Sequence, residues 1–258
     1  MFKKLFITVS LIFITFVTLP FVIVFLKVDY RLLYEISKSS EFLDAVKTTF
    51  LAALVATIAA MICGIPFAYA ITRYKFPLKS LFEAIVDIPQ AIPHTAAGIA
   101  LLMTLGRSSF IGKGASLIGI SFVQTFWGVV AAMWFLSFSI FVNAVKEGIK
   151  KVDIRYEKVA RSLGATPFKA FLYVTLPMIK HDIVSGSLLM WSRGISEFGA
   201  VAILAYYPMT LSVLTYDKFQ GYGLRQALAL TALIFIMSVI IFVIIRVIQN
   251  LWKTTESR

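Results

Sequence analysis

Tyr156-Glu157-Lys158-Val159-Ala160-Arg161-Ser162-Leu163-Gly164-Ala165-Thr166-Pro167, followed by Val174-Thr175-Leu176-Pro177, stands inside a polar interval that runs from Lys146 to Asp182. Hydrophobic runs long enough to span a bilayer lie on either side of it. Within the interval, Val152, Tyr156, Val159 and Leu163 recur at three- to four-residue spacing, which predicts one apolar stripe on a charged helix. Gly164 stands where a left-handed C-terminal cap is wanted. Thr166-Pro167 then supplies an N-cap and a first-turn proline for a second helix. Phe168, Phe171 and Leu172 continue an apolar face, and Leu176-Pro177 is expected to stop it. The predicted unit is a helix, a corner and a second helix, lying across the inner membrane face with the corner exposed. An ordinary interfacial loop helix fits the same periodicity, so pattern alone leaves its role open.

The surrounding chain has 258 residues, 59% of them hydrophobic, and a mean hydropathy of +0.87. Soluble domains are closer to half apolar, and here the excess sits in long uncharged runs. A polytopic membrane protein follows, with no polar stretch long enough to fold a large soluble domain. The single cysteine, Cys63, lies in an apolar run and excludes a disulfide framework or a thiolate metal site. The net charge of +12 gathers in short segments between the apolar runs, without aromatic–basic interleaving. That distribution argues against nucleic acid and for charge-set membrane orientation.

Six spans are expected. Residues 6–26 form the first, too long for a signal-peptide core and without a small-residue cleavage site. Residues 27–47 suit a short outer interfacial helix. The second span covers 48–72, with a local bend made plausible by Gly64 and Pro66. The third starts near Ser80 and carries Glu83, Asp87, Pro89 and Pro93. Two prolines four residues apart bend or break a helix, and a broken span must face protein or water rather than lipid. Gly106 to Gly114 reads as an outer loop whose Gly112-Lys113-Gly114 lacks the spacing of a phosphate loop. The fourth span lies in 115–145, with room for a re-entrant start before Thr125. The fifth begins near Ile183, is interrupted by Arg193 and Glu197, and continues through Ala205. Residues 206–225 read as an outer loop and 226–245 as the sixth span, followed by a basic tail. Lys3 and Lys4, the 73–79 turn, the 146–182 interval and the tail hold most of the 25 basic residues, which places both termini and the interval in the cytoplasm.

The interval resembles the cytoplasmic signature loop of permease subunits of binding-protein-dependent ABC importers. Their pattern runs Glu-Ala-Ala, three residues, Gly, nine residues, Ile, one residue, Leu-Pro. Ala160, Gly164, Leu176 and Pro177 stand at that spacing, whereas Lys158, Val159 and Val174 replace Glu, Ala and Ile. Asp87 to Leu102 is similar to the proline-rich third span of molybdate, tungstate and sulfate permeases. Ile195-Ser196-Glu197-Phe198-Gly199-Ala200, with Thr210-Leu211-Ser212 and Tyr216, looks most like the molybdate/tungstate branch. The resemblance implies an all-α, six-span, type I importer permease (MetI-like) fold, the whole chain forming one transmembrane domain with a coupling loop at 146–182. It implies a homodimer in a prokaryotic plasma membrane, with two ATPase subunits inside and an oxyanion-binding protein outside. ATP and Mg would be bound by the partner, and this chain would hold no cofactor. Glu157, Lys158, Val159, Ala160, Arg161, Ser162, Leu163, Gly164, Ala165, Leu176 and Pro177 would form the ATPase-coupling loop.

Pro89, Pro93, His94, Thr95, Arg193 and Glu197 are the expected pathway or gate residues. Arg193 and Glu197 share a helix face at i,i+4, and intramembrane charges are costly unless paired or hydrated. A structural ion pair is as good a reading of them as a gate, and a packing histidine is the favoured reading of His94. Glu83 and Asp87 are expected to be solvated or paired with loop lysines. No His/Asp/Glu cluster stands at catalytic or metal-ligand spacing, so no catalytic residue and no metal site are expected. A rival of another class, an ion-coupled secondary transporter acting alone, would have to rely on Glu197.

Overall fold

In a computed structural model, residues 2–256 are described and are built from helices, with no strand among them. The tail residues Arg246 and Lys253 have side chains outside the described ones, and Arg258 lies outside the described residues altogether. The chain forms two compact units, residues 1–45 with 213–258, and residues 46–212.

In the first unit, α1 (Phe2–Lys27) packs against α14 (Leu224–Glu256), with the Phe21 and Phe235 rings 4.6 Å apart. Val28, Ala229 and Ala232 form a small core under α2 (Tyr30–Ser37). One carboxylate organises this end: Oδ1 of Asp29 caps α2 by accepting from the Arg31 and Leu32 amides, while Oδ2 holds Arg225. The hydrogen bond from Arg225 keeps the Asp29 carboxyl below its usual pKa. Both contacts are therefore present near neutrality and lost only as pH falls through that lowered value. Most of α1 is apolar and exposed, as a lipid-facing helix must be.

The second unit is centred on α7 (Phe126–Lys151), whose Val129, Ala132, Met133, Phe141, Val145 and Ile149 are buried. Against it pack α4 (Lys79–Ala91) and α11 (Lys180–Ile195), and α12 (Gly199–Leu204) joins them. The long helix α3 (Ser40–Arg73) runs without interruption through Gly64 and Pro66, and Trp191 of α11 packs edge-on against its Phe50.

Two spans are broken. Ile92 takes an extended conformation because Pro93 follows it, and α4 meets α5 (His94–Leu105) at 115°. Pro89 sits inside α4 without ending it, so of the two prolines only the second breaks the helix. The other break, Ser196 to Phe198, separates α11 from α12 and has no proline. The fifth span, expected to be interrupted at Arg193 and Glu197 and to continue through Ala205, is a 16-residue helix and a 6-residue helix separated there. Among the described residues, four helices are long and apolar enough to cross a membrane, or five when α4 and α5 count as one span.

Two expected outer loops contain helix. α6 (Phe110–Leu117) starts inside the Gly106–Gly114 segment, with Ser109 as its N-cap, and interrupts the apolar 115–145 stretch before α7 starts at Phe126. α13 (Leu211–Tyr222) occupies most of the 206–225 segment. Apolar periodicity is weak in α13, whereas α6 is a short helix started by its Ser109 cap. α7 also carries its helix six residues into the polar interval, to Lys151.

The two breaks are brought together by α5 packing on α12. A Cβ on Gly98 would lie 2.9 Å from the Ala200 backbone, so only glycine permits this approach. Gly98→Ala should lower the thermal unfolding midpoint in detergent by several degrees, an overpacking cost of about 1–3 kcal/mol. Gly114→Ala, inside α6 and with nothing within 4 Å of the added carbon, should not lower it and should raise it slightly, alanine being the better helix former.

Candidate functional site

The 146–182 interval is mounted on the end of α3. α8 (Ile154–Ser162) begins at the Asp153 N-cap, and its Glu157 is buried beneath it. Oε1 of Glu157 accepts from Arg73 Nε at 2.8 Å and from Thr175 Oγ1 at 2.7 Å, and Oε2 accepts from the Tyr69 hydroxyl at 2.8 Å. Arg73 also donates to the Val152 carbonyl at 2.8 Å. Every charge in this clamp is desolvated and met by a hydrogen-bonded partner, the condition under which a buried ion pair holds. The Phe171 ring packs 4.7 Å from Tyr69 and closes the far side.

Beyond the clamp, the chain turns the expected corner. Gly164 has φ +94°, its amide donates to the Arg161 carbonyl, and the Ala165 amide donates to the Ala160 carbonyl. This pair of bonds is the Schellman closure of a helix end. Thr166 then caps α9 (Pro167–Ala170), with Pro167 in the first turn. The chain does not stop at Leu176-Pro177. A π-helical turn at Phe171–Thr175 widens the ladder, so that Pro177, which has no amide hydrogen to give, sits in a further helical turn, α10 (Leu176–Met178). The break comes at Ile179.

The apolar stripe also differs from expectation. Val152 is buried at the end of α7, ahead of α8, whereas Tyr156, Val159 and Leu163 are exposed, Leu163 at 83%. It is the acidic Glu157, not the stripe, that faces the protein, because Arg73 waits there to neutralise it. Glu157 is therefore an anchor of the loop and not part of its outward face. Lys158, Val159, Arg161, Ser162, Leu163 and Gly164 are exposed, Ala160 and Ala165 half-buried.

The second constellation lies where the two breaks meet. Glu197 has no exposed surface. Its Oε2 lies 3.0 Å from His94 Nδ1 and 3.4 Å from an Arg193 guanidinium nitrogen, and its Oε1 accepts from the Ala200 amide at 3.1 Å. Arg193 also reaches His94 Nε2 at 2.8 Å. Guanidinium can only donate, so Nε2 accepts and the imidazole proton sits on Nδ1, directed at Glu197. The carboxylate thus caps α12 and ties it to the first residue of α5 and to the last turn of α11. Of the expected pathway residues, His94, Arg193 and Glu197 are brought together. Thr95 is exposed beside them, Pro93 forms the break, and Pro89 is buried a turn away. The buried Glu197 carboxylate is thus met by donors from three separate segments, with His94 and Arg193 themselves about a third exposed.

Lower in α4, Asp87 accepts from Asn143 at 2.7 Å instead of from a lysine, while Glu83 does face Lys146, at 3.9 Å. Gln90, which carries no charge or periodicity signal, donates to Ser139 at 2.6 Å.

Several helices long and apolar enough to cross a bilayer mark an integral membrane protein. Residues 60–254 match the family of binding-protein-dependent transport system inner membrane components, and the chain belongs to that family. It is 36% identical to the molybdate/tungstate transport system permease protein WtpB of Thermococcus kodakarensis, over 94% of both chains. With the protein of the same name from Methanocaldococcus jannaschii it shares 38% identity, over 89% of this chain and 94% of that one. A sulfate transport system permease, CysT of Synechococcus elongatus, is 29% identical over 92% and 87%. Among solved structures, a bacterial ABC transporter involved in import of the acidic polysaccharide alginate has the same fold, with a TM-score of 0.77, 18% identity and coverage of 100% and 96%. The inward-facing MetNI methionine ABC transporter follows at TM-score 0.58, 16% identity and coverage of 79% and 92%. Members of this family are transport components and not catalytic subunits.

Replacing Glu157 by alanine leaves Arg73 buried without its counter-charge, a loss on the order of 3 kcal/mol. Amide exchange should accelerate across 154–175 and stay unchanged across 94–105, as measured by hydrogen–deuterium exchange mass spectrometry.

Proposed function

We propose that this chain is the permease subunit of an ABC importer that carries molybdate or tungstate across a prokaryotic plasma membrane, driven by a partner ATPase. The observation that carries the reading is the mounted loop, an exposed apolar and basic helix with a glycine corner, locked by a buried carboxylate to the end of a membrane helix. Such a mount converts a push on the loop into displacement of α3 and α11 without being absorbed by side-chain slack. The oxyanion is assigned by likeness to the molybdate/tungstate permeases, which exceeds the likeness to the sulfate permeases.

In this reading the chain is one permease domain with six spans, α4–α5 and α11–α12 each counting as one broken span, and with both termini cytoplasmic. The basic segments at 3–4, 73–79 and 146–180 support that orientation. Two copies would place the pathway between them, two ATPase subunits would dock on the loops, and an extracytoplasmic binding protein would deliver the anion. Glu157 anchors the loop, and Lys158, Val159, Arg161, Ser162, Leu163 and Gly164 meet the ATPase. His94, Arg193 and Glu197 lock the two broken spans so that they move as one gate.

Labelled tungstate uptake into proteoliposomes tests this. Uptake should require ATP, the ATPase and the binding protein together; uptake by this chain alone on an ion gradient overturns the reading. Gly164→Asp should abolish uptake while leaving membrane insertion intact. A Cβ at 164 meets nothing in this chain, so the loss comes from the strained corner and the obstructed docking surface. Glu197→Gln should cut uptake at least tenfold with ATPase binding retained, because it removes the charge that holds Arg193 and His94.

A further inference from the structure

Among the described residues, the unpaired charge on the exposed side of α8 and its corner is of one sign. Glu157, the acid within α8, is consumed by Arg73, Tyr69 and Thr175. Asp153 turns back to cap the helix at the Arg155 amide and lies 3.7 Å from the Arg155 side chain. At the root of the loop, Lys150 and Lys151 are paired with Glu147 and Asp182. Lys158, Arg161 and Lys169 remain, all exposed, and among the described residues none of the three has an ion-pair partner.

Two of these cations border a concave feature. Lys158 and Arg161 are three residues apart on one side of α8 and share with Arg73 a cavity of about 310 Å³. Tyr74, Ile154 and Pro167 supply its apolar wall. The one carboxylate that lines it, Glu157, has both oxygens already engaged. Alongside, Tyr156, Val159 and Leu163 present an apolar ridge, with Leu163 almost fully exposed at the corner. A partner complementary to this face needs an apolar trough for the ridge and negative charge beside it. Unpaired cations entering a desolvated interface otherwise carry a large penalty.

Resting on the permease reading above, we infer that the ATPase surface receiving this loop is acidic, and that one of its carboxylates enters the cavity between Lys158, Arg161 and Arg73. The polarity of the joint is set by this chain: it offers cations and an apolar ridge, and no free acid. Three consequences follow physically. Assembly weakens with salt as opposed charges are screened. It tolerates loss of one cation better than inversion of both. It discriminates against ATPase subunits whose groove is basic, because like charges brought together there go unpaired.

The test uses the full chain in nanodiscs with the ATPase subunit of the same transport system, binding measured by biolayer interferometry between about 50 and about 500 mM salt, a range over which the Debye length falls roughly threefold. Wild type should bind progressively more weakly as salt rises. Lys158→Glu/Arg161→Glu should raise the dissociation constant at least tenfold. Lys158→Gln/Arg161→Gln should flatten the salt dependence, and exchanging acidic groove residues of the ATPase for lysine should restore binding to the double-glutamate chain. Both positions are exposed, so an unchanged thermal midpoint will show that the variants fold. Unaltered binding by the double-glutamate variant overturns the acidic joint and leaves the coupling role standing. If instead ATPase binding depends only on anionic lipid in the disc, and Lys158 and Arg161 crosslink to headgroups, the face is a lipid site and the proposal fails. Failure of the wild-type chain to bind any ATPase at all overturns the permease reading on which the proposal rests.

Discussion

The carboxylate of Glu157 sits where a charge is least welcome, under a helix and out of water, and it is held there by three donors from other parts of the chain. Arg73 ends α3, Tyr69 lies one turn earlier, and Thr175 closes the π-helical turn after the corner. A buried ion pair of this kind contributes little net stability compared with apolar packing, but it admits one geometry, since displacement of either partner strands a charge. The position of α8, the outward turn of Tyr156, Val159 and Leu163, and the projection of Gly164 all follow from that single fixed point. A loop hung only on apolar contacts could slide; this one has a defined lever arm.

The same chemistry recurs at the broken spans. A bilayer offers no hydrogen-bond partners, so each interruption of a helix must be satisfied by the protein. At Ser196–Phe198 the Glu197 carboxylate replaces a missing backbone acceptor by taking the Ala200 amide, and it recruits Arg193 and His94 in the process. At Ile92-Pro93 the proline has no amide to satisfy and the helix restarts at His94. The chain therefore uses two buried carboxylates, one at the loop and one between the spans, each met in full by donors from separate elements. Between them runs α11, whose start follows the loop and whose end bears Arg193. That continuity gives a physical route from the loop to the breaks, through one packed helix on α7.

Reading the chain as sequence located much of this. The corner at Gly164, the cap at Thr166-Pro167, the break at Pro93 and the shared face of Arg193 and Glu197 were all legible, because each depends on local backbone rules or on helical spacing. The fate of Glu157 was not. Nothing in its neighbourhood distinguishes a solvated glutamate from a buried anchor, and its partners stand 84, 88 and 18 residues away. The stripe of Val152, Tyr156, Val159 and Leu163 misled for the same reason: periodicity finds a face but not which way it points. The helices at Phe110–Leu117 and Leu211–Tyr222 escaped because the first is short and started by its cap, and polar residues in the second blur the period. The break after Arg193 carries no proline, and the charges near it were its only trace.

Composition and the placement of basic residues were enough to determine a helical membrane protein with a basic loop ending in a glycine corner, since hydrophobic length, helix capping and left-handed turns are properties of short segments. Only the tertiary structure decided that Glu157 faces inward against Arg73, that His94, Arg193 and Glu197 meet, and that the loop's outward face is cationic with an apolar ridge. Those outcomes depend on which distant donors arrive beside which acceptors, and desolvation makes that pairing all or none.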